Sequence, residues 1–325
     1  MKRTDINTAG GSPAQGPGRF NSSTILYLVL LALALVAPAV LYPIFLVKVL
    51  CVALFALAFN LLIGYGGLLS FGHAMFFGGA SYITGHAMLV WGWPTELGIL
   101  VGVVFSTLLG VVAGLIAIRR QGIYFAMVTL ALAQMVYFIF LQMPFTGGED
   151  GIQNVPRRAV FGFIDIANDT TLYYVVLTIF VFGFLFIYRT IHSPFGQVLK
   201  AIRENEDRAT SLGYHTTRFK LLAFVLSAGL AGLAGATKVV VFQIATLTDV
   251  TWQMSGEVVL MTLVGGLGTV FGPVVGAAII ITMQDYLATF GEWVLVIQGV
   301  TFVIMVSLFR RGVVGEIAAL INRVR

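Results

Sequence analysis

The chain has 325 residues, of which 58% are hydrophobic and only 10% charged, with a formal net charge of +5 and a mean hydropathy of +0.96. Soluble domains carry about 25% charged residues, so the composition excludes a water-soluble enzyme or binding domain. The basic residues are spread between apolar runs rather than gathered on one soluble face, which argues against nucleic acid as a partner, and the single Cys51 supplies no disulfide framework.

In chain order, Met1–Ser23 is rich in Gly, Pro, Ser, Thr and Asn and reads as a disordered cytoplasmic tail. A bilayer crossing needs roughly 20 apolar residues. Runs of that kind follow at Thr24–Tyr42, Ile44–Leu62, Leu68–Val90, Leu97–Ile118, Ile123–Met143, Leu172–Tyr188 and Phe219–Val241. The first has a long polar lead-in and many spans after it, so it reads as a retained anchor rather than a signal peptide. Ser255–Thr289 is apolar but broken at Gly265-Gly266-Leu267-Gly268 and Gly272-Pro273, and Val294–Phe309 is the last run.

Basic residues gather at Lys2, Arg3 and Arg19, at Arg119 and Arg120, from Arg189 to Lys220, and from Arg310 to Arg325. The positive-inside rule makes these four regions cytoplasmic. Each interval between them then holds an even number of crossings, which the broken region satisfies only by crossing twice, once with a short span. The expectation is an all-α, polytopic transmembrane bundle of about ten spans with both termini cytoplasmic. It places 15 of the 19 Lys and Arg inside, with Lys48, Arg157, Arg158 and Lys238 outside. Independently, all four Trp (Trp91, Trp93, Trp252, Trp293) fall near the outer interface, an aromatic-belt position. The domain plan is a cytoplasmic tail over 1–23, a transmembrane domain over 24–311 with a polar cytoplasmic segment at 189–218, and a cytoplasmic tail over 312–325.

Four features carry functional expectations. The first is the polar insert Ser193–Gly213. Ser193 and Pro194 suit the N-cap and N1 positions of a helix. Phe195, Val198, Leu199 and Ile202 form one apolar stripe at helical spacing, opposite Gln197, Lys200, Arg203 and Glu204. A second short turn runs from Asp207 to Gly213, a natural C′ residue. Geometry alone leaves a helix lying at the lipid headgroups and a docking element equally open. The second feature is a pair of glycine breaks, Gly66-Gly67-Leu68-Leu69-Ser70 and Gly265-Gly266-Leu267-Gly268-Thr269, both matching G-G-L-x-[S/T]. Paired interruptions in two halves point to a transport path between structural repeats, with close packing through small residues as the alternative.

The third feature is the outer loop containing Thr146, Gly147, Gly148, Glu149, Asp150 and Gly151, which reads as flexible and acidic, either a meeting place for a partner or an ordinary connection. The fourth is a set of polar residues at membrane depth, among them Asn60, His86, Ser227 and Thr262. Such groups face bundle interiors. Most read as interhelical hydrogen-bond partners, while Tyr65, Ser70, His73, Tyr124, Thr129 and Gln134 are candidates for the translocation path, with His73 foremost. No buried carboxylate relay of the kind an ion-coupled secondary carrier uses is apparent. Nucleotide-binding, zinc-protease, serine-hydrolase and paired-cysteine motifs are missing too, so a membrane-embedded enzyme has no visible chemistry and the chain no energy source.

Asp207-x-Ala209-x-x-x-Gly213 resembles the EAA-type loop with which importer permeases dock on their ATPases, with Asp in place of the usual Glu and without the downstream I-x-L-P part. The segments Asn60–Ala74, Gly122–Ala131, Thr146–Gly151 and Val264–Pro273 are similar to the branched-chain amino acid ABC permease family, LivM type, over roughly Lys48 to Gly315. That resemblance implies a non-catalytic permease subunit in a bacterial inner membrane. Its partners would be a second, different permease subunit (a heterodimer), two cytoplasmic ATPase subunits, a periplasmic substrate-binding protein and membrane lipid. No cofactor would be bound by this chain, and ATP would be used by the partner subunits. Leucine, isoleucine or valine would be the cargo, with urea or short-chain amides as the alternative. Pro194, Arg203, Glu204, Glu206, Asp207, Ala209 and Gly213 would belong to the ATPase-coupling segment.

Overall fold

The computed structural model describes residues 22–288, 291, 293–308 and 312–316. The expected tails at 1–23 and 312–325 therefore lie largely outside the described residues, as do Arg310 and Arg311. Among the described residues, twelve α-helices of six residues or more follow one another: α1 (Ser22–Val36), α2 (Pro43–Asn60), α3 (His73–Leu89), α4 (Thr95–Ala117), α5 (Ile123–Gln142), α6 (Asp169–Ile191), α7 (Pro194–Glu204), α8 (Glu206–Ser211), α9 (Thr216–Phe242), α10 (Trp252–Gly265), α11 (Gly272–Leu287) and α12 (Trp293–Leu308). Among the described residues, β pairing is confined to two isolated bridges, Ile152–Ala245 and Val160–Ile164. Five helices of the described residues are long and apolar enough to cross a membrane: α2 with its extension to Tyr65, α4, α5, α6 and α9. The other apolar helices are shorter, down to the 14 residues of α10, about 21 Å at 1.5 Å per residue.

The breaks in the expected runs have local causes. Proline lacks an amide donor and clashes with the preceding turn, so α1 gives way to a 3₁₀ turn at Ala37–Ala39, and Pro43 opens α2. The third run starts later than expected: Leu68–Gly72 is not helical, and α3 begins at His73. The end of α2 loosens into a π turn at Leu61–Tyr65 before Gly67 takes a positive φ of +70°.

Helices α2 and α9 form the centre, with 72% and 61% of their most apolar windows buried, against 28–33% for α4, α5 and α6. Between helices in lipid the hydrophobic effect is weak, and small residues allow backbones to approach. Helix α4 follows that rule fully. Its buried residues are Thr95, Gly98, Gly102, Ser106, Gly110, Ala113, Gly114 and Ala117, whereas Leu97, Leu100, Val104, Leu108 and Val112 face outward. Helix α9 presents Ala228, Ala231, Gly232 and Gly235 to α3 and α4. Hydroxyls stitch these contacts to backbone carbonyls: Ser81 donates to Gly235 at 2.8 Å, Thr84 to Gly98 at 3.0 Å, and Ser106 to Phe76 at 2.7 Å.

Two helical hairpins, α2–α3 and α10–α11, turn at the two glycine breaks, and the turns meet. The amide of Asn60 spans them: Nδ2 donates to the Thr269 carbonyl at 2.9 Å, and Oδ1 accepts from the Gly268 amide at 3.1 Å. Asn60 is 1% exposed, so this tie is shielded from water. The same end of the bundle holds the α4–α5 link, the polar pair α7–α8 and the start of α9. Following the chain from there, all four Trp fall at the opposite end, where α3 finishes and α10 and α12 begin.

Two outcomes follow. A Cβ on Gly235 would collide with the Phe77 carbonyl, whereas one on Gly256 meets nothing within 4 Å. Gly235→Val therefore costs about 1–3 kcal/mol of overpacking and lowers the thermal midpoint of the detergent-solubilised protein, while Gly256→Val leaves it unchanged. Asn60→Ala strips the Gly268 amide and the Thr269 carbonyl of their partner, at about 1–3 kcal/mol; an unaltered midpoint in the same melt would show that the breaks do not depend on this tie.

Candidate functional site

The polar insert folds into an elbow of two helices. Ser193 caps α7, its Oγ accepting from the Gly196 amide at 3.4 Å, with Pro194 in the first turn. The apolar stripe turns inward: Leu199 and Ile202 are buried, and Phe195 stacks on Phe219 with ring centroids 5.7 Å apart. Asn205 is extended and caps α8, accepting from the Arg208 amide at 2.9 Å. Helix α8 thus starts at Glu206, one residue before the expected Asp207. It ends in a Schellman motif: Gly213, at φ +90°, donates to Thr210 at 2.9 Å and Tyr214 to Ala209 at 3.2 Å.

One side of the elbow is anchored and the other is free. Ala209 is buried. The Glu206 carboxylate accepts from Lys220 at 2.5 Å and from Gln121 at 3.0 Å, joining α8 to the first turn of α9 and to the α4–α5 link. The Lys220 side chain is only 5% exposed, so Glu206 neutralises a cation that is otherwise shut away from water. Glu204, Asp207, Arg208, Gly213 and Tyr214 are exposed, and Leu212 is 71% exposed beside them.

Arg203 points back from α7 to the glycine breaks and donates to the carbonyl of Gly64. Helix ends leave their last carbonyls without intrahelical partners, and the guanidinium takes up this one. A cleft of about 450 Å³ opens beside it, lined by Tyr65, Lys200, Arg203, Glu204 and Gly268. The Lys200 ammonium lies 5.6 Å from the centre of the Tyr65 ring, a cation–π distance.

The six path candidates do not share one surface. Tyr65, Ser70, His73 and Thr129 are buried. Thr129 holds the first break against α5, accepting from the Phe71 amide at 3.2 Å, and Ser70 braces the break from within, accepting from the Gly72 amide at 3.2 Å. His73 sits among the rings of Phe59, Phe76 and Phe224, 5.0–5.9 Å away. Its Nε2 lies 2.8 Å from Ser227 Oγ, and that hydroxyl donates its one proton to the Ala58 carbonyl at 2.5 Å. The Nε2 of His73 is therefore the donor, and His73 clasps α2, α3 and α9 together. Tyr124 is 68% exposed on the outside of α5. Gln134 lines a small cleft with Tyr137, Thr251, Trp252 and Gln253, beside the start of α10.

At the end opposite the elbow, the loop expected to be flexible is built from two 3₁₀ turns, Pro144–Thr146 and Gly148–Asp150. Thr146 is buried and donates to the Met143 carbonyl at 2.6 Å. Gly147, Gly148 and Gly151 all have positive φ, and the loop pairs with the segment after α9 through Ile152–Ala245 and a 3.0 Å bond from Val155 to Gln243. Glu149 and Asp150 remain exposed. Ion pairs brace this end, Lys238–Asp249 at 2.5 Å and Lys48–Asp285 at 2.6 Å, the latter joining α2 to α11.

Reading by residue type grouped Asn60 with general polar fillers and missed its specific tie. The available signal was its place six residues before the first glycine pair. Among the described residues, no three of His, Cys, Asp and Glu are grouped so as to hold a metal ion.

Comparison with known proteins places these features in a family. The family model for the branched-chain amino acid transport system / permease component matches residues 41–306, from just before α2 into α12. The high-affinity branched-chain amino acid transport system permease protein LivM of Salmonella typhimurium is 28% identical over 275 residues, 77% of this chain and 64% of the relative. The chain thus spans just under two thirds of that relative's length. A probable branched-chain amino acid transport permease protein LivM of Methanocaldococcus jannaschii is 26% identical over 263 residues, covering 68% of this chain and 74% of the relative. The probable LivH permease of the same organism is 29% identical over 127 residues, 38% of this chain and 36% of the relative. No solved structure matches. The match over 41–306 covers most of the chain, which therefore belongs to the branched-chain amino acid transport system permease family.

Proposed function

We propose that the chain is the membrane-embedded, non-catalytic permease subunit of a binding-protein-dependent ABC importer for leucine, isoleucine and valine. The observation that carries this reading is the family match over 41–306. The relatives named LivM and LivH are distinct permeases that both resemble this chain, which supports a second, different permease as its membrane partner. Two cytoplasmic ATPases would supply the energy, and a periplasmic binding protein would deliver the cargo at the end carrying Glu149 and Asp150. Transport of urea or a short-chain amide is the second reading.

The elbow is the ATPase-docking element of this proposal. Its apolar face is committed to the bundle through Leu199, Ile202 and Ala209, which leaves Glu204, Asp207, Arg208, Leu212 and Tyr214 to meet a protein surface. The topology is ten crossings of a bacterial inner membrane with both termini cytoplasmic. It is supported by the gathering of Lys200, Arg203, Arg208 and Lys220 at the elbow end and of the four Trp at the other. The short α10 is then accommodated by its glycine turn, whose irregular backbone is covered by Asn60 rather than by lipid.

The two halves of the proposal have separate tests. Asp207 is exposed and makes no side-chain ion pair among the described residues, so Asp207→Lys abolishes co-purification of the ATPases and uptake while the permease still inserts; normal uptake would sink the docking role. The same swap at Glu206 is a poorer probe, because it breaks the pair with Lys220. For the cargo, ATP-dependent uptake of labelled leucine by the reconstituted complex is competed by valine and not by urea or acetamide, and competition by the amides alone would favour the second reading.

A further inference from the structure

We infer that Arg203 is a positioning residue of the transport cycle, the contact through which movement of the elbow reaches both glycine breaks at once. The inference rests on the permease reading and extends it from a docking segment to a named transmission contact.

The placement of Arg203 is unusually constrained for a residue on an exposed helix. Its Cγ lies 2.9 Å from where a Cβ on Gly67 would stand, and its Nη1 3.3 Å from where a Cβ on Gly268 would stand. Gly67 and Gly268 both have positive φ, +70° and +72°, a region that side-chain-bearing residues rarely adopt. The side chain therefore runs through the space that a Cβ on Gly67 would take and ends close to where one on Gly268 would stand. At its tip the guanidinium holds the Gly64 carbonyl, and Gly64 in turn lies against the Gly268 amide. Asn60 bonds that same amide. One planar, multi-donor group thus bonds the turn of the α2–α3 hairpin and stands beside the turn of the α10–α11 hairpin.

The other anchor of the elbow is placed differently. Glu206 holds Lys220 and Gln121, on α9 and the α4–α5 link, and Asn205 stands between the two anchors with extended dihedrals. Tilting the elbow about the Glu206 anchor moves Arg203 relative to the breaks, and the adjoining cleft of about 450 Å³ leaves room for that tilt. The π turn at Leu61–Tyr65 and the non-helical residues of both breaks can absorb such a displacement, since hinges are built from a few element-terminal residues that change φ and ψ.

The test uses the full complex in proteoliposomes, with both permeases, the ATPases, the binding protein and labelled leucine. Two quantities are read: co-purification of the ATPases with the permease, and ATP hydrolysed per leucine transported. Arg203→Gln is expected to co-purify and to raise that ratio by about tenfold, the loss expected of a charge-assisted hydrogen bond. Arg203→Lys, which keeps the charge without the fork, restores part of the coupling. A native ratio in Arg203→Gln overturns the inference. Loss of co-purification in that variant overturns it too, because Arg203 would then belong to the docking face. A wild-type complex without ATP-dependent uptake would overturn the permease reading beneath it, so the two failures are distinguishable.

Discussion

The structure depends on backbone that is not helical and yet lies inside an apolar bundle. A bilayer offers no hydrogen bonds to such backbone, and each unsatisfied group there costs several kcal/mol. The side chain of Asn60 meets this constraint at the point where two hairpin turns touch, accepting from Gly268 and donating to Thr269. Arg203 meets it again at Gly64, and Ser70 and Thr129 meet it at Gly72 and Phe71. Once those groups are satisfied, the glycines on either side are free to give the close approach that joins α2–α3 to α10–α11. The remaining helices pack around this joint, with α9 at the centre.

Much of this was legible in the sequence. The apolar runs predicted the positions of the apolar helices, and the proline and glycine interruptions marked most of their ends. The stripe Phe195, Val198, Leu199, Ile202 foretold which face of α7 turns inward, and Gly213 marked the end of α8. What could not be read was contact between segments far apart in the chain. Asn60 and Gly268 are separated by 208 residues, and no local pattern announces that they meet. The same limit applies to His73, whose membrane depth suggested a path but whose neighbours Phe59, Phe76, Phe224 and Ser227 come from three helices and enclose it. The turn geometry of the loop at Thr146–Gly151 was hidden for a different reason. Its glycines suggested freedom, but at Gly147 and Gly151 they satisfy positive φ in defined turns.

The functional reading gains from the division of the elbow into a committed side and an uncommitted one. A helix resting on lipid headgroups would bring its apolar stripe to the membrane and keep its charges in water. Here that stripe is buried against protein, α8 is held by a carboxylate on a shielded lysine, and the exposed residues include Leu212 beside Asp207 and Arg208. An apolar side chain among charges on a doubly capped support is the composition of a contact surface, where a central apolar contact is rimmed by polar groups.

Helix α4 carries a consequence of another kind. Its inner face is defined by smallness, from Gly98 through Gly102, Ser106, Gly110 and Gly114, while its bulky aliphatics look outward. Position in the bundle is therefore encoded by volume, and hydrophobicity is nearly indifferent between the two faces. Exchanges among the large aliphatics of the outer face leave the helix packing untouched. A single added methyl group on the inner face, which a hydropathy scale scores as harmless, has no room to stand: a Cβ on Gly102 would run into the Thr84 hydroxyl and one on Gly110 into the Ala228 methyl.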